Sequence, residues 1–203
     1  MRLITLLPIT AAMLAAPVLA DSSVKITADG DGHNTVVDQR AATTAHVLVD
    51  QIGQSNQVSI TQAGTDDEVV LLSDGDGQNH RIDQSGSALN RASLMSMGTA
   101  NSSDIVQSGM GGINEVMLIQ SGSDNIANMQ QEAFAGLNSI SLTQAGNGNL
   151  ANLIQNGSDN NINLTQNGDA NGATVTQNGS GHGFSLTQNG GAQIIVTQTS
   201  PGG

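Results

Sequence analysis

The chain has 203 residues, a formal net charge of -12, no Cys, Trp or Tyr, and only Phe134 and Phe184 as aromatics. Without bulky rings or thiols it has no means to build an ordinary globular core, a disulfide framework, a thiolate zinc site or a cysteine nucleophile. Lys25, Arg40, Arg81 and Arg91, the cations beyond Arg2, face 17 acids, a balance that argues against nucleic acid as a partner.

Residues 1–20 have the make-up of a secretory signal peptide. Arg2 supplies the positive start, Leu3 to Ala16 an apolar run, and Val18, Leu19 and Ala20 a small-residue cleavage site before Asp21. Pro8 and Pro17 break the run, which is too short for a membrane span. The mature protein is therefore expected to be exported. Residues 21–32 show little of the later pattern and are read as a flexible leader.

From residue 33 to 198 a repeat takes over. Gln144, Gln155, Gln166, Gln177 and Gln188 recur every eleven residues, with Gln198 ten later. Gly146, Gly157, Gly168, Gly179 and Gly190 each follow a Gln by two. Between a Gly and the next Gln, apolar and polar residues alternate, as in Asn160-Asn-Ile162-Asn-Leu164-Thr-Gln166. A period of two is a strand, and eleven residues make one strand plus a tight arc. The unit reads Asn-x-φ-x-φ-x-Gln, where φ is apolar. It predicts fifteen strands starting at His33, Ala45, Asn56, Asp67, Gln78, Asn90, Asn101, Asn114, Asn125, Asn138, Asn149, Asn160, Asn171, His182 and Ala192. Residues 199–203 form a short tail.

The spacings between starts run 12, 11, 11, 11, 12, 11, 13, 11, 13, 11, 11, 11, 11 and 10. Every insertion falls in an odd-numbered gap, so the true repeat is two strands and two arcs, with the insertions on one face. The first φ position agrees. It is small at Ser103, Ala127, Ala151 and Ala173, and mostly larger at Val69, Val116, Ile140, Ile162 and Phe184. The predicted fold is all-β: a two-sheet β-solenoid of about 22-residue strand–arc–strand rungs. In each strand Asn, two apolar residues and Gln face inward. Rung stacking sets Asn138, Asn149, Asn160 and Asn171, and Gln144, Gln155, Gln166, Gln177, Gln188 and Gln198, into self-satisfying amide ladders. The glycines supply the positive φ of the arcs. No capping element follows the regular, nearly charge-free last rungs, so unpaired edges invite another copy. The acidic arcs of residues 33–107, with Asp66, Asp67, Glu68, Asp74 and Asp76, are expected to slow stacking.

The residues that carry these ladders also carry a likeness. Gln144-Ala-Gly146-Asn-Gly148-Asn149-Leu-Ala151-Asn-Leu-Ile-Gln155 fits the curlin pattern Q-x-G-x-G-N-x-A-x-x-x-Q, and the runs from Gln120 and Gln166 fit it apart from the second Gly. Over residues 30–198 the chain resembles curlin, the subunit of the bacterial functional amyloid curli. The resemblance implies export through an outer-membrane curli pore with accessory proteins. It implies polymerisation with itself and other curlin subunits into an extracellular fibre on the bacterial surface, for adhesion and biofilm matrix. A minor nucleating subunit, or an ice-binding or adhesive monomeric solenoid using Thr174/Thr176-type hydroxyl rows, are the alternatives.

Asp29-Gly-Asp-Gly-His33 and Asp74-Gly-Asp-Gly-Gln78 are read as solvated turns, since no bidentate Glu closes either as a calcium loop would. His33 and His182 stand in Asn positions, His80 in a φ position and His46 on the outside, so they do not converge. No nucleophile motif or phosphate loop is present, and the reading implies no enzyme and no cofactor.

Overall fold

The computed structural model describes residues 10–14, 22–39 and 42–200. Most of the expected signal peptide, its cleavage site, Arg40 and residues 201–203 lie outside the described residues. The described chain is a β-solenoid of two parallel sheets.

One sheet holds β1 (Thr10–Leu14), β3 (Asn34–Asp38), β5 (Gln57–Gly64), β7 (Asn79–Gly86), β9 (Ser102–Gly109), β11 (Ile126–Ala133), β13 (Leu150–Ser158), β15 (Gly172–Ser180) and β17 (Gln193–Thr199), in that spatial order. We call it the odd sheet. The even sheet holds β2 (Ser23–Asp31), β4 (His46–Gln54), β6 (Glu68–Asp76), β8 (Leu89–Thr99), β10 (Ile113–Ser123), β12 (Leu137–Asn147), β14 (Asn161–Asn167) and β16 (Gly183–Asn189). Successive strands alternate between sheets, so each pairs with the strand two along the chain.

The fifteen expected strands are β3 to β17 one for one, and every longer arc leads from the odd sheet to the even one. The coil starts earlier than expected. Residues 23–31, expected to be a flexible leader, form β2 and pair in register with β4, Val24 on Val47 and Ile26 on Val49. The amide of the motif is missing there, because Ala28 takes the Gln position against Gln51. The backbone period persists without it. Thr10–Leu14, within the expected signal peptide, pairs with β3.

Inward side chains stack in straight columns. In the even sheet Leu71, Leu94, Leu118, Leu142, Leu164 and Leu186 stand in one file. In the odd sheet the small residues Ser103, Ala127, Ala151 and Ala173 stand in another. Bulk in one sheet is offset by smallness in the other, as close packing of a core two apolar residues deep requires. Burial alternates strictly along β13, where Ala151, Leu153 and Gln155 are buried and Leu150 and Ile154 are exposed.

The arcs need two left-handed positions. The first is the Gly after Gln, stacked so closely that a Cβ at Gly122 (φ 108°) would lie 2.1 Å from the Gly146 carbonyl oxygen. The second comes just before the Asn position. It holds Gly148 (φ 63°) in one rung and Asp124, Asp159 or Ala170 (φ 57°) in others, and a Cβ at Gly148 meets nothing within 4 Å. The two sites should respond differently. Gly122→Ala is expected to cost about 2 kcal/mol or more in chemical denaturation, since backbone must move. Gly148→Ala should cost only the left-handed penalty of about 1 kcal/mol.

Candidate functional site

Among the described residues, no group of three or more His, Asp or Glu side chains is placed to hold a metal ion. Nor is any helix long and apolar enough to cross a membrane. The built feature is the set of buried amide columns running along the solenoid axis.

In the odd sheet Gln39, Gln62, Gln84, Gln107, Gln131, Gln155, Gln177 and Gln198 form an unbroken ladder. Each Nε2 donates to the Oε1 of the next Gln toward the C-terminus, at 2.7, 2.9, 2.8, 3.0, 2.8, 2.9 and 2.7 Å. The same nitrogen also donates across the core to a main-chain carbonyl of the even sheet. Gln131 reaches Glu115 O at 3.1 Å, Gln155 reaches Ser139 O at 2.9 Å and Gln177 reaches Asn161 O at 3.1 Å. An amide has two N–H groups and one carbonyl to satisfy. Here one N–H serves the axis, the other ties the two sheets, and the oxygen accepts from the rung before.

The even sheet carries a shorter ladder. Gln120, Gln144, Gln166 and Gln188 are linked at 2.9 Å per step, and Gln144 and Gln166 reach Ile126 O and Leu150 O at 3.0 Å. Upstream, the column continues as Gln51, Ser73 and Ser96.

The Asn positions do different work. In the odd sheet Asn125, Asn149 and Asn171 donate toward the N-terminus, to Asn101, Asn125 and Asn149 at 3.1, 3.0 and 3.0 Å. That direction is opposite to the Gln ladder. Each also clamps an arc: Asn149 Nδ2 donates to Gly168 O at 2.9 Å, and Asn125 Nδ2 to Gly146 O at 2.8 Å. In the even sheet Asn138 and Asn160 bind arc carbonyls, Gly157 O at 3.0 Å and Gly179 O at 2.9 Å, and Asn138 Oδ1 accepts from the Asn160 main-chain N–H at 3.2 Å.

The ten amides singled out in the sequence thus fall into four columns. Asn138, Gln144, Asn160, Gln166 and Gln188 belong to the even sheet, and Asn149, Gln155, Asn171, Gln177 and Gln198 to the odd sheet. The five arc glycines, Gly146, Gly157, Gly168, Gly179 and Gly190, all have positive φ. Two features escaped the sequence reading: the second left-handed position and the cross-core bond of each Gln. Recurrent Gly at residues 32, 77, 148 and 181, each just before an Asn position, was the available signal for the first.

Buried ionisable groups sit within these columns. Asp67 takes an Asn position and accepts from Asn90 Nδ2 at 2.9 Å and Gly64 N at 3.0 Å, while burial raises its pKa. Burial pushes the His80 imidazole down to about 4; its nitrogens lie 2.9 Å from Ser103 Oγ and 3.1 Å from Gln78 Oε1. On the outside, half-exposed ion pairs link Arg81 with Asp83 and Asp104, and Arg91 with Glu68. Such exposed pairs contribute little each. The Thr174/Thr176 pair is flanked by Asn152/Ile154 on one side and Ile195/Thr197 on the other, so the paired hydroxyls are not repeated from rung to rung.

The longest intact stretch of both ladders coincides with a known repeat. The family model for the curlin associated repeat matches residues 138–168 and 159–190. Residues 138–190 are thus similar to the curlin associated repeat. No curated protein and no solved structure matches it. Each curlin match starts on an Asn of the even sheet or its neighbour, Asn138 or Asp159, and spans somewhat more than one rung.

Two outcomes test this site. Gln155→Ala removes the acceptor of Gln131 and the donor to Gln177, and should destabilise the protein by about 2–5 kcal/mol in denaturant titration. Asn128→Ala, which loses only an exposed 2.8 Å bond to Asn152, should stay within about 0.5 kcal/mol. The second concerns pH. Because the folded pKa of His80 lies below its ordinary 6.5, its contribution is whole above pH 6.5 and is lost as the pH falls toward 4. The loss amounts to about 3 kcal/mol. His80→Val should flatten the stability profile across that window.

Proposed function

We propose that the mature chain is an exported structural subunit that stacks head to tail into an extracellular, curli-type amyloid fibre on the bacterial surface. The observation that carries this reading is the open C-terminal end of the ladders. Among the described residues Gln188 and Gln198 are the last rungs of their columns, and Phe184, Leu186, Ile194 and Val196 beside them are only partly buried. Edges of this kind pair with another chain unless blocked.

The polarity of the odd ladder suits a copy in the same orientation. At one end Gln198 presents a donor, and at the other Gln39 presents the carbonyl oxygen that starts the chain of bonds. Stacked this way, β17 lies on β3 of the next copy and β16 on its β2. Removal of residues 1–20 takes β1 off the β3 edge that the junction uses. Other curlin subunits are the natural co-partners, and a curli pore with accessory proteins the route of export. Adhesion and matrix formation follow from the fibre.

Purified residues 21–203 should form filaments with a cross-β reflection at about 4.7–4.8 Å and a lag abolished by seeds. Chains that stay monomeric at high concentration, with no thioflavin signal, would refute the reading. At the junction, Gln39→Ala and Gln198→Ala should each slow seeded elongation about tenfold, corresponding to ~1.4 kcal/mol. Combining them should slow it by less than the product of the two effects, because both remove the same junction bond while each loses different bonds within the chain.

A further inference from the structure

The even-sheet ladder is interrupted where its column passes through Ser73 and Ser96. Backbone register is unbroken there: Gln51 stacks on Ser73, Ser73 on Ser96, and Ser96 on Gln120, with Gly53, Gly75, Gly98 and Gly122 in file two residues on. Each Ser is three non-hydrogen atoms shorter than Gln, a difference in side-chain size no smaller than the roughly 30 Å³ share of one water molecule.

Four side-chain polar atoms face this stretch of the column without a hydrogen-bond partner in the protein: Gln51 Nε2, Ser73 Oγ, Ser96 Oγ and Gln120 Oε1. All four residues are fully buried. The remaining groups of the two flanking amides are engaged. Gln51 Oε1 accepts from Thr35 Oγ1, and Gln120 Nε2 donates to Ser102 O, Asn125 O and Gln144 Oε1. One flanking amide therefore offers only a donor and the other only an acceptor, oriented as in an intact ladder.

From this we infer that the column between Gln51 and Gln120 is a binding site for two buried water molecules, which replace two amides as links of the ladder. Gln51 Nε2 donates to the first water, which bonds to Ser73 Oγ. The second bonds to Ser96 Oγ and donates to Gln120 Oε1. The first water donates to the second, so the pair, held by the two hydroxyls, joins one orphaned donor to one orphaned acceptor. A cation would suit the three oxygens but not the Gln51 N–H, so water is the species that fits both ends. By the register that sets Ile126 O against Gln144 and Leu150 O against Gln166, the facing carbonyls here are those of Gln57 and Asn79. They supply further acceptors for the water protons.

The test uses the full mature chain, folded or in fibres, with ¹⁵N-labelled Gln side chains. Magnetisation should pass from water protons to Gln51 Nε2 far faster than to Gln144 Nε2, and Ser73→Gln with Ser96→Gln should reduce the Gln51 rate to that of Gln144. Equal rates in the unmodified chain would overturn the inference. Stability provides a second reading through its sign. With water present, Ser73→Ala with Ser96→Ala removes partners of bound molecules, and the denaturation midpoint should fall. In a dry column the same change deletes two unsatisfied hydroxyls, and a raised midpoint would overturn the inference.

Discussion

A primary amide buried away from water must place two N–H groups and one oxygen, or the fold loses about 1–3 kcal/mol for each group left unpaired. In this protein that requirement is met along the axis and across it at once. Gln131, Gln155 and Gln177 each donate to the next rung and to the opposite sheet. The register follows, because a slip of one residue would turn every Gln outward and every Thr or Asn neighbour inward. So does the parallel arrangement, since like amides meet only when like strands stack.

The apolar interior is subordinate to those ladders. Two residues per strand separate the Asn and Gln columns, and the core is a file of Leu against files of Ala, Val and Ile. Stability of such a body grows by neighbour contacts and not by a central mass. The arcs meet the same axial demand. Gly122 lets its backbone approach the carbonyl of the rung beside it, and Asn125 ties Gly146 down.

Much of this was legible from residue types at a fixed spacing. The Gln/Gly period located fifteen strands, and the parity of the insertions separated the two sheets. What stayed hidden has physical reasons. The strand β2 lacks the amide that marks the others, yet Val24 and Ile26 still continue the apolar files of β4. The opposite donor directions of the Asn and Gln columns depend on where each amide meets the main chain, which no residue name records. Asp124, Asp159 and Ala170 in left-handed conformation are hidden for a related reason. A position open to solvent tolerates a side chain that the Gly of the tight arc would not.

Every inter-strand pairing among the described residues links positions 21 to 24 apart, as where the register joins Gln107 to Gln131, Gln155 to Gln177 and Gln177 to Gln198. Under tension along its axis, such a body has no distant crosslink to share the load. It yields a rung at a time from an end, and each rung releases roughly 75 Å of extended chain in place of about 5 Å of stacked height. A filament of these subunits would take up mechanical work by lengthening instead of snapping, and each released rung would keep the template it needs to wind back.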